Sequence, residues 1–181
     1  MEDWTLKPAR DHGLPFWKRL RSSRREGGLI DACAQFTARQ LVRAYMTVWH
    51  RVEHDGKGHL PKECPLVMVA NHASHLDSVV MASILPWNIR KTMFPLAAGD
   101  VFFETPVRTV LAAGIINALP MWRKNMGRHA LSDLRTRLIE DRCGYILFPE
   151  GKRSPDGALL PFKSGLGMLV AGTGVPVVPC Y

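Results

Sequence analysis

The sequence predicts a single α/β domain with a largely parallel central sheet flanked by helices, preceded by an amphipathic helix near the N-terminus. Three observations carry that expectation. The chain has 181 residues, 46% of them apolar, which fills one core and falls short of two full domains. From Leu66 onward, short apolar runs alternate with helical stretches, the pattern of βαβ units. The turn signal D-G-K-G, Asp55 to Gly58, separates this alternation from a helical first section.

Residues 1–27 are polar and basic, with Lys7, Arg10, Lys18, Arg19, Arg21, Arg24 and Arg25 set around Trp4, Phe16 and Trp17. Prolines and glycines there discourage a long helix, so an arm outside the core is expected. It reads either as an interfacial anchor, rings at headgroup depth and cations on anionic lipid, or as a solvated tail. Residues 28–181 form the main domain. Its first helix runs from about Leu29 to Trp49, where Leu29, Ile30, Cys33, Phe36, Leu41, Tyr45 and Val48 recur at helical spacing. The end of that helix, through Val48, His50 and Val52, also reads as the start of a strand.

The alternation that follows pairs each strand with a helix. Leu66 to Ala70 precedes Leu76 to Leu85, Met93 to Ala98 precedes Pro106 to Ala113, and Ile115 to Leu119 precedes His129 to Asp141. Tyr145 to Pro149 then precedes Ser164 to Gly172, and Val175 to Pro179 closes the order. Leu131, Leu134 and Leu138 mark the buried face of the helix from His129, with Gly144 read as its C-cap.

A formal charge of +8 and a pI near 9.7 imply an anionic partner, whether nucleic acid, phosphate-bearing substrate or anionic lipid. The scattered Cys33, Cys64, Cys143 and Cys180 form no C-x-x-C pair, so neither a disulfide framework nor a zinc site is expected, and a reducing cytoplasmic setting is. No apolar run approaches the roughly 20 residues that span a bilayer, and M-E-D-W-T-L-K-P-A-R lacks the apolar core of a signal peptide. Such a protein is expected to lie on a membrane rather than cross it.

Ligands of open parallel sheets sit beyond the carboxyl ends of the strands, and two chemically rich loops fall there. The first is N-H-A-S-H-L-D, Asn71 to Asp77. On a continuous helix His72 and Asp77 would point about 140° apart, so they meet only across a bend, with His72 in the loop and Asp77 in the first helical turn. A carboxylate on an imidazole fixes its tautomer and raises its basicity, which suits a general base acting on a hydroxyl. Ser74 and Asp77 are also spaced as a capping box, the reading that local pattern favours for Asp77. His75 reads as packing or solvated. A metal site on His72, His75 and Asp77 lacks a further ligand, so no metal and no cofactor are expected.

The second loop is F-P-E-G-K-R-S, Phe148 to Ser154. Gly151 permits close backbone approach to an anion, with Lys152, Arg153 and a hydroxyl beside it. A charged surface turn is the plain alternative. The spacing of a Walker loop is missing, and no G-x-G-x-x-G occurs. Between the loops, I-I-N-A-L-P-M-W-R-K-N presents Arg123 as a possible phosphate clamp.

Together, N-H-x-x-x-x-D, the arginine-bearing segment, F-P-E-G-x-R-S and the later V-P-V-V-P resemble the glycerolipid acyltransferase family, among them the 1-acylglycerol-3-phosphate acyltransferases. The resemblance covers about Val48 to Tyr181 in order and spacing. It implies that His72 is the general base, that Asp77 orients it, and that the acceptor hydroxyl attacks an acyl thioester directly, from acyl-CoA or acyl-carrier protein. It also implies that Arg123, Glu150, Gly151 and Arg153 bind the acceptor phosphate, with Lys152 an added cation where relatives carry threonine or glycine. Pro176 and Pro179 match a fourth motif on the donor side. The middle motif departs from the family by lacking a Phe-Ile pair before its arginine, and the chain is expected to be truncated, since relatives continue past this point. The implied partners are a lysophospholipid acceptor, an acyl thioester donor and the cytoplasmic face of a membrane, with oligomeric state open. A lipid-binding module of little catalytic power is the alternative; it has no use for a paired base. A nucleic-acid binder lacks any recognisable motif.

Overall fold

The computed structural model describes residues 11, 13–26, 29–122 and 128–181. A short helix α1, Phe16–Leu20, and a long α2, Leu29–Val48, precede a 3-10 turn at Lys57–His59. Five strands follow: β1 Val67–Ala70, β2 Met93–Ala98, β3 Leu119–Met121, β4 Gly144–Leu147 and β5 Val177–Cys180. Helices α3 (Asp77–Ile84) and α4 (Trp87–Arg90) join β1 to β2, while α5 (Gly99–Phe102) and α6 (Pro106–Val110) lead towards β3. Helix α7, Arg128–Glu140, precedes β4, and α8, Gly165–Val170, precedes β5.

The strands form one sheet in the order β3-β2-β4-β1-β5, and every pairing is parallel. The expected α/β class and parallel sheet are therefore what the chain adopts. Alternation along each strand explains why both faces need a helical layer. Leu66, Met68, Met93 and Ile146 face Met81, Leu85 and Ile89 of the α3–α4 segment. Val67, Val69, Phe94 and Tyr145 face Leu134 and Leu138 of α7 and Leu169 of α8. The leucines read as the buried side of α7 do point inward.

Local chemistry sets the helix ends. Thr105 caps α6 by accepting the Arg108 amide, and Pro106 occupies the first turn. Pro86 forces the extended backbone of Leu85 that stops α3.

Three local expectations need correcting. The segment after Val48 is not a strand: α2 runs to Val48, and Arg51 then takes a left-handed φ of 50°. The strand expected at Ile115 to Leu119 starts only at Leu119, paired with Leu96, because a π-helical turn at Leu111–Ile115 and left-handed Asn117 come first. Gly144 is no helix cap. It opens β4, and a Cβ there would sit 2.1 Å from Met93 Sδ and 2.7 Å from the Leu66 carbonyl, so close strand packing demands glycine.

The described part of the basic arm is also docked rather than free. Arg25 is only 5% exposed and donates to Asn117 Oδ1 at 3.0 Å and to the Ala118 carbonyl at 2.9 Å. Arg24 pairs with Asp133 of α7 at 2.9 Å, and Arg21 donates to the Glu104 carbonyl at 2.7 Å. Conversely, the apolar stripe of α2 is not turned inward. Leu41 is 68% and Val48 77% exposed, with Phe36 and Tyr45 also exposed; of its side chains described, Met46 alone is buried.

Candidate active site

The chain leaves β1 for α3 on one face of the sheet and leaves β4 for α8 on the other. Adjacent strands whose exits diverge open a crevice at their carboxyl ends. Both chemically rich loops lie there.

The bend required of the first loop is present. His72 Nδ1 lies 3.0 Å from Asp77 Oδ2, with both side chains partly buried. The imidazole stacks on Phe148 of the second loop, ring centroids 4.0 Å apart and planes 13° from parallel. Asp77 Oδ2 also accepts the Ala73 and Ser74 amides, each at 2.8 Å, while Ser74 Oγ accepts the Leu76 amide at 3.2 Å. Only the carboxylate half of the capping box is therefore made: Asp77 Oδ2 takes the Ser74 amide and also holds the ring, whereas the Ser74 hydroxyl is on the Leu76 amide and α3 begins at Asp77 with Leu76, not Ser74, as its N-cap. Burial pushes the Asp77 carboxyl up, but the Ser74 amide, the His72 ring and the Ala73 amide outweigh it and leave its pKa below the ordinary carboxylate value. His75 stands edge-on to Phe102, 5.4 Å between centroids. Burial, then the charges of Arg153 and His72, hold its imidazole below the usual value against the opposing pull of Asp77.

In the second loop, Gly151 has φ 70°, and its amide donates to the Phe148 carbonyl at 3.0 Å. Lys152 and Arg153 are exposed. Glu150 is not: it is 2% exposed, with Oε1 accepting the His72 amide at 3.1 Å and Oε2 the Leu160 amide at 3.4 Å. Its carboxylate faces backbone rather than an open seat, a placement that acceptor binding does not explain. Ser154 donates its amide to the His72 carbonyl at 2.7 Å and its hydroxyl to Asp156 at 2.8 Å. Arg123 lies outside the described residues; Trp122, just before it, lays its indole on Gly99, where a Cβ would sit 2.6 Å from Trp122 Cδ2.

One cation here carries no signal in the sequence. The Lys163 side chain lies over the Gly151 turn, its Nζ 2.8 Å from where a Cβ at position 151 would be, and its amide donates to the Pro149 carbonyl at 2.9 Å. Its motif, P-F-K-S, carries no spacing that pairs it with Gly151. Among the described residues, no group of three or more His, Cys, Asp or Glu side chains is placed to hold a metal ion.

A family model described as Acyltransferase matches residues 51–181. The chain belongs to the acyltransferase family. It is similar to 1-acyl-sn-glycerol-3-phosphate acyltransferase beta of Homo sapiens, 30% identical over 115 residues, which are 64% of this chain and 40% of the relative. The alpha enzyme of Ovis aries is 32% identical over 131 residues, 71% of this chain and 44% of the relative. The chloroplastic enzyme BAT2 of Brassica napus is 32% identical over 148 residues, 80% of this chain and 40% of the relative. The acyltransferase chain thus spans under half the length of these curated relatives. Among solved structures, the crystal structure of the 1-acyl-sn-glycerophosphate acyltransferase PlsC from Thermotoga maritima superposes with a TM-score of 0.51 at 26% identity, covering 80% of this chain and 55% of that one. The acyltransferase match takes in both loops and the arginine-bearing segment between them.

Proposed function

We propose that this chain carries the catalytic site of an O-acyltransferase that moves a fatty acyl group from acyl-CoA or acyl-carrier protein to the hydroxyl of a lysophospholipid such as 1-acylglycerol-3-phosphate. The observation that carries the reading is the contact of His72 Nδ1 with Asp77 Oδ2 at 3.0 Å. With Nδ1–H donated to the carboxylate, Nε2 keeps its lone pair and accepts the acceptor's hydroxyl proton. The alkoxide oxygen attacks the thioester carbonyl, the tetrahedral oxyanion collapses, and the carbon–sulfur bond breaks. The departing thiolate takes the proton from the imidazolium, leaving an ester and a free thiol. No acyl-enzyme forms. Ser74 Oγ is engaged at Leu76 and Ser154 Oγ at Asp156, in keeping with that route.

The Gly151 turn, with Lys152, Arg153 and Lys163 around it, is the proposed seat for the acceptor phosphate, joined by Arg123. Fixing the acceptor there places its hydroxyl beside His72, which lowers the entropic part of the barrier. Product analysis with labelled 1-acylglycerol-3-phosphate and either donor tests the reaction: diacylglycerol phosphate is expected, and its absence with both donors would leave only lipid binding. Lys163→Glu is expected to raise KM for the phosphorylated acceptor about 10- to 100-fold with kcat nearly kept, since one charge-assisted contact contributes about 1.5–3 kcal/mol.

The protein is further proposed to work at the cytoplasmic face of an anionic membrane. The exposed Leu41, Tyr45, Val48 and Trp49, followed in the chain by the exposed Arg51, give the apolar and cationic pairing that interfacial binding uses. No helix among the described residues is long and apolar enough to cross a membrane. Co-sedimentation with phosphatidylserine vesicles should weaken in a Leu41→Asp/Val48→Asp variant, and unchanged binding would remove this surface from consideration.

A further inference from the structure

We propose that Glu150 is a positioning residue: its buried carboxylate sets where the general base stands, rather than binding the acceptor. The inference rests on the reading of His72 as base. A carboxylate directed at a phosphate would repel it, and Glu150 has no open face from which to meet one, being 2% exposed. Both of its oxygens are engaged by backbone amides, Oε1 by His72 at 3.1 Å and Oε2 by Leu160 at 3.4 Å. The other polar edge of residue 72, its carbonyl, accepts the Ser154 amide at 2.7 Å. His72 therefore has both backbone groups held by the loop after β4, and its ring stacked on Phe148 of that same loop. Asp77 then fixes the remaining ring rotation through Nδ1. The loop that offers the Gly151 turn to an anion is thus the one that locates the imidazole, with Glu150 as the joint between them. A misplacement of a catalytic group by about 1 Å lowers turnover by up to about 100-fold.

Glu150→Gln tests this, because one carboxylate oxygen becomes an NH2 facing an amide donor while size is kept. The full chain is assayed for thiol release with acyl-CoA, varying a short-chain lysophosphatidate. Acceptor binding is measured separately by calorimetry in the His72→Ala background, where turnover does not interfere. The expected result is a kcat lower by about 10- to 100-fold, with KM for the acceptor and its Kd changed less than twofold. Adding Glu150→Gln to His72→Ala should cost no further turnover, since a residue that acts through His72 has nothing left to position. A tenfold weaker Kd with kcat retained, or an unchanged kcat, overturns the proposal. Should Glu150→Gln melt below the assay temperature, Glu150→Asp, which keeps the charge on a shorter arm, takes its place with the same required split. If His72→Ala keeps full turnover, the base reading falls and this proposal with it; if the Glu150 variants alone deviate, the base reading stands and the proposal alone falls.

Discussion

His72→Ala is expected to lower thioester-dependent thiol release by about 100- to 10,000-fold, the usual worth of a positioned general base. The loss should fall on kcat, because the anion seat is built from other residues. The substitution removes the Phe148 stack and one ligand of Asp77 but leaves the residue 72 backbone bonds to Glu150 and Ser154 in place. Circular dichroism and the melting temperature should therefore change little. A variant that folds normally and releases thiol at the native rate would end the base assignment.

Asp77→Asn should produce the next largest effect, a fall in kcat of about 10- to 100-fold. The substituted side chain keeps an oxygen that can accept the Ala73 and Ser74 amides, so the entrance to α3 is retained. What disappears is the negative charge opposite an imidazole that becomes cationic during reaction. A charge-assisted hydrogen bond contributes about 1.5–3 kcal/mol, and about 1.4 kcal/mol is tenfold in rate. Stability should register the change in acid. The folded-state pKa of Asp77 is depressed, so its stabilisation is complete above the unfolded value of about 3.9 and is lost as pH falls through the folded value. Asp77→Asn should accordingly flatten the acid limb of the unfolding curve below about pH 4. Equal acid limbs for both proteins would show that the carboxylate contributes nothing there.

Much of this molecule was readable in its letters, and the exceptions share a cause. The parallel sheet follows from apolar runs spaced by helical segments, and the convergence of His72 and Asp77 from a spacing that a straight helix cannot close. The burial of Glu150 is not legible in a P-E-G turn, because it depends on amides supplied by His72 and Leu160, 78 and 10 residues away. Arg25 looked like part of a loose basic arm for the same reason: its acceptors at Asn117 and Ala118 lie 92 and 93 residues further on. Gly144 reads as a helix cap, since nothing in sequence reveals that Met93 and Leu66 crowd its Cα. The inward side of α7 was legible and the outward turn of α2 was not, because periodicity shows that a stripe exists but not what it meets.

The pairing of β1 with β4 should make this site a late product of folding. Val67 and Tyr145 are register partners, although α3, β2, β3 and α7 all lie between them in the chain. Closing so long a loop costs entropy before any contact across it forms, and such closures slow folding. During refolding from denaturant, regained turnover should consequently trail regained helicity. Catalytic recovery then serves as a clock for the central strand registry rather than for collapse.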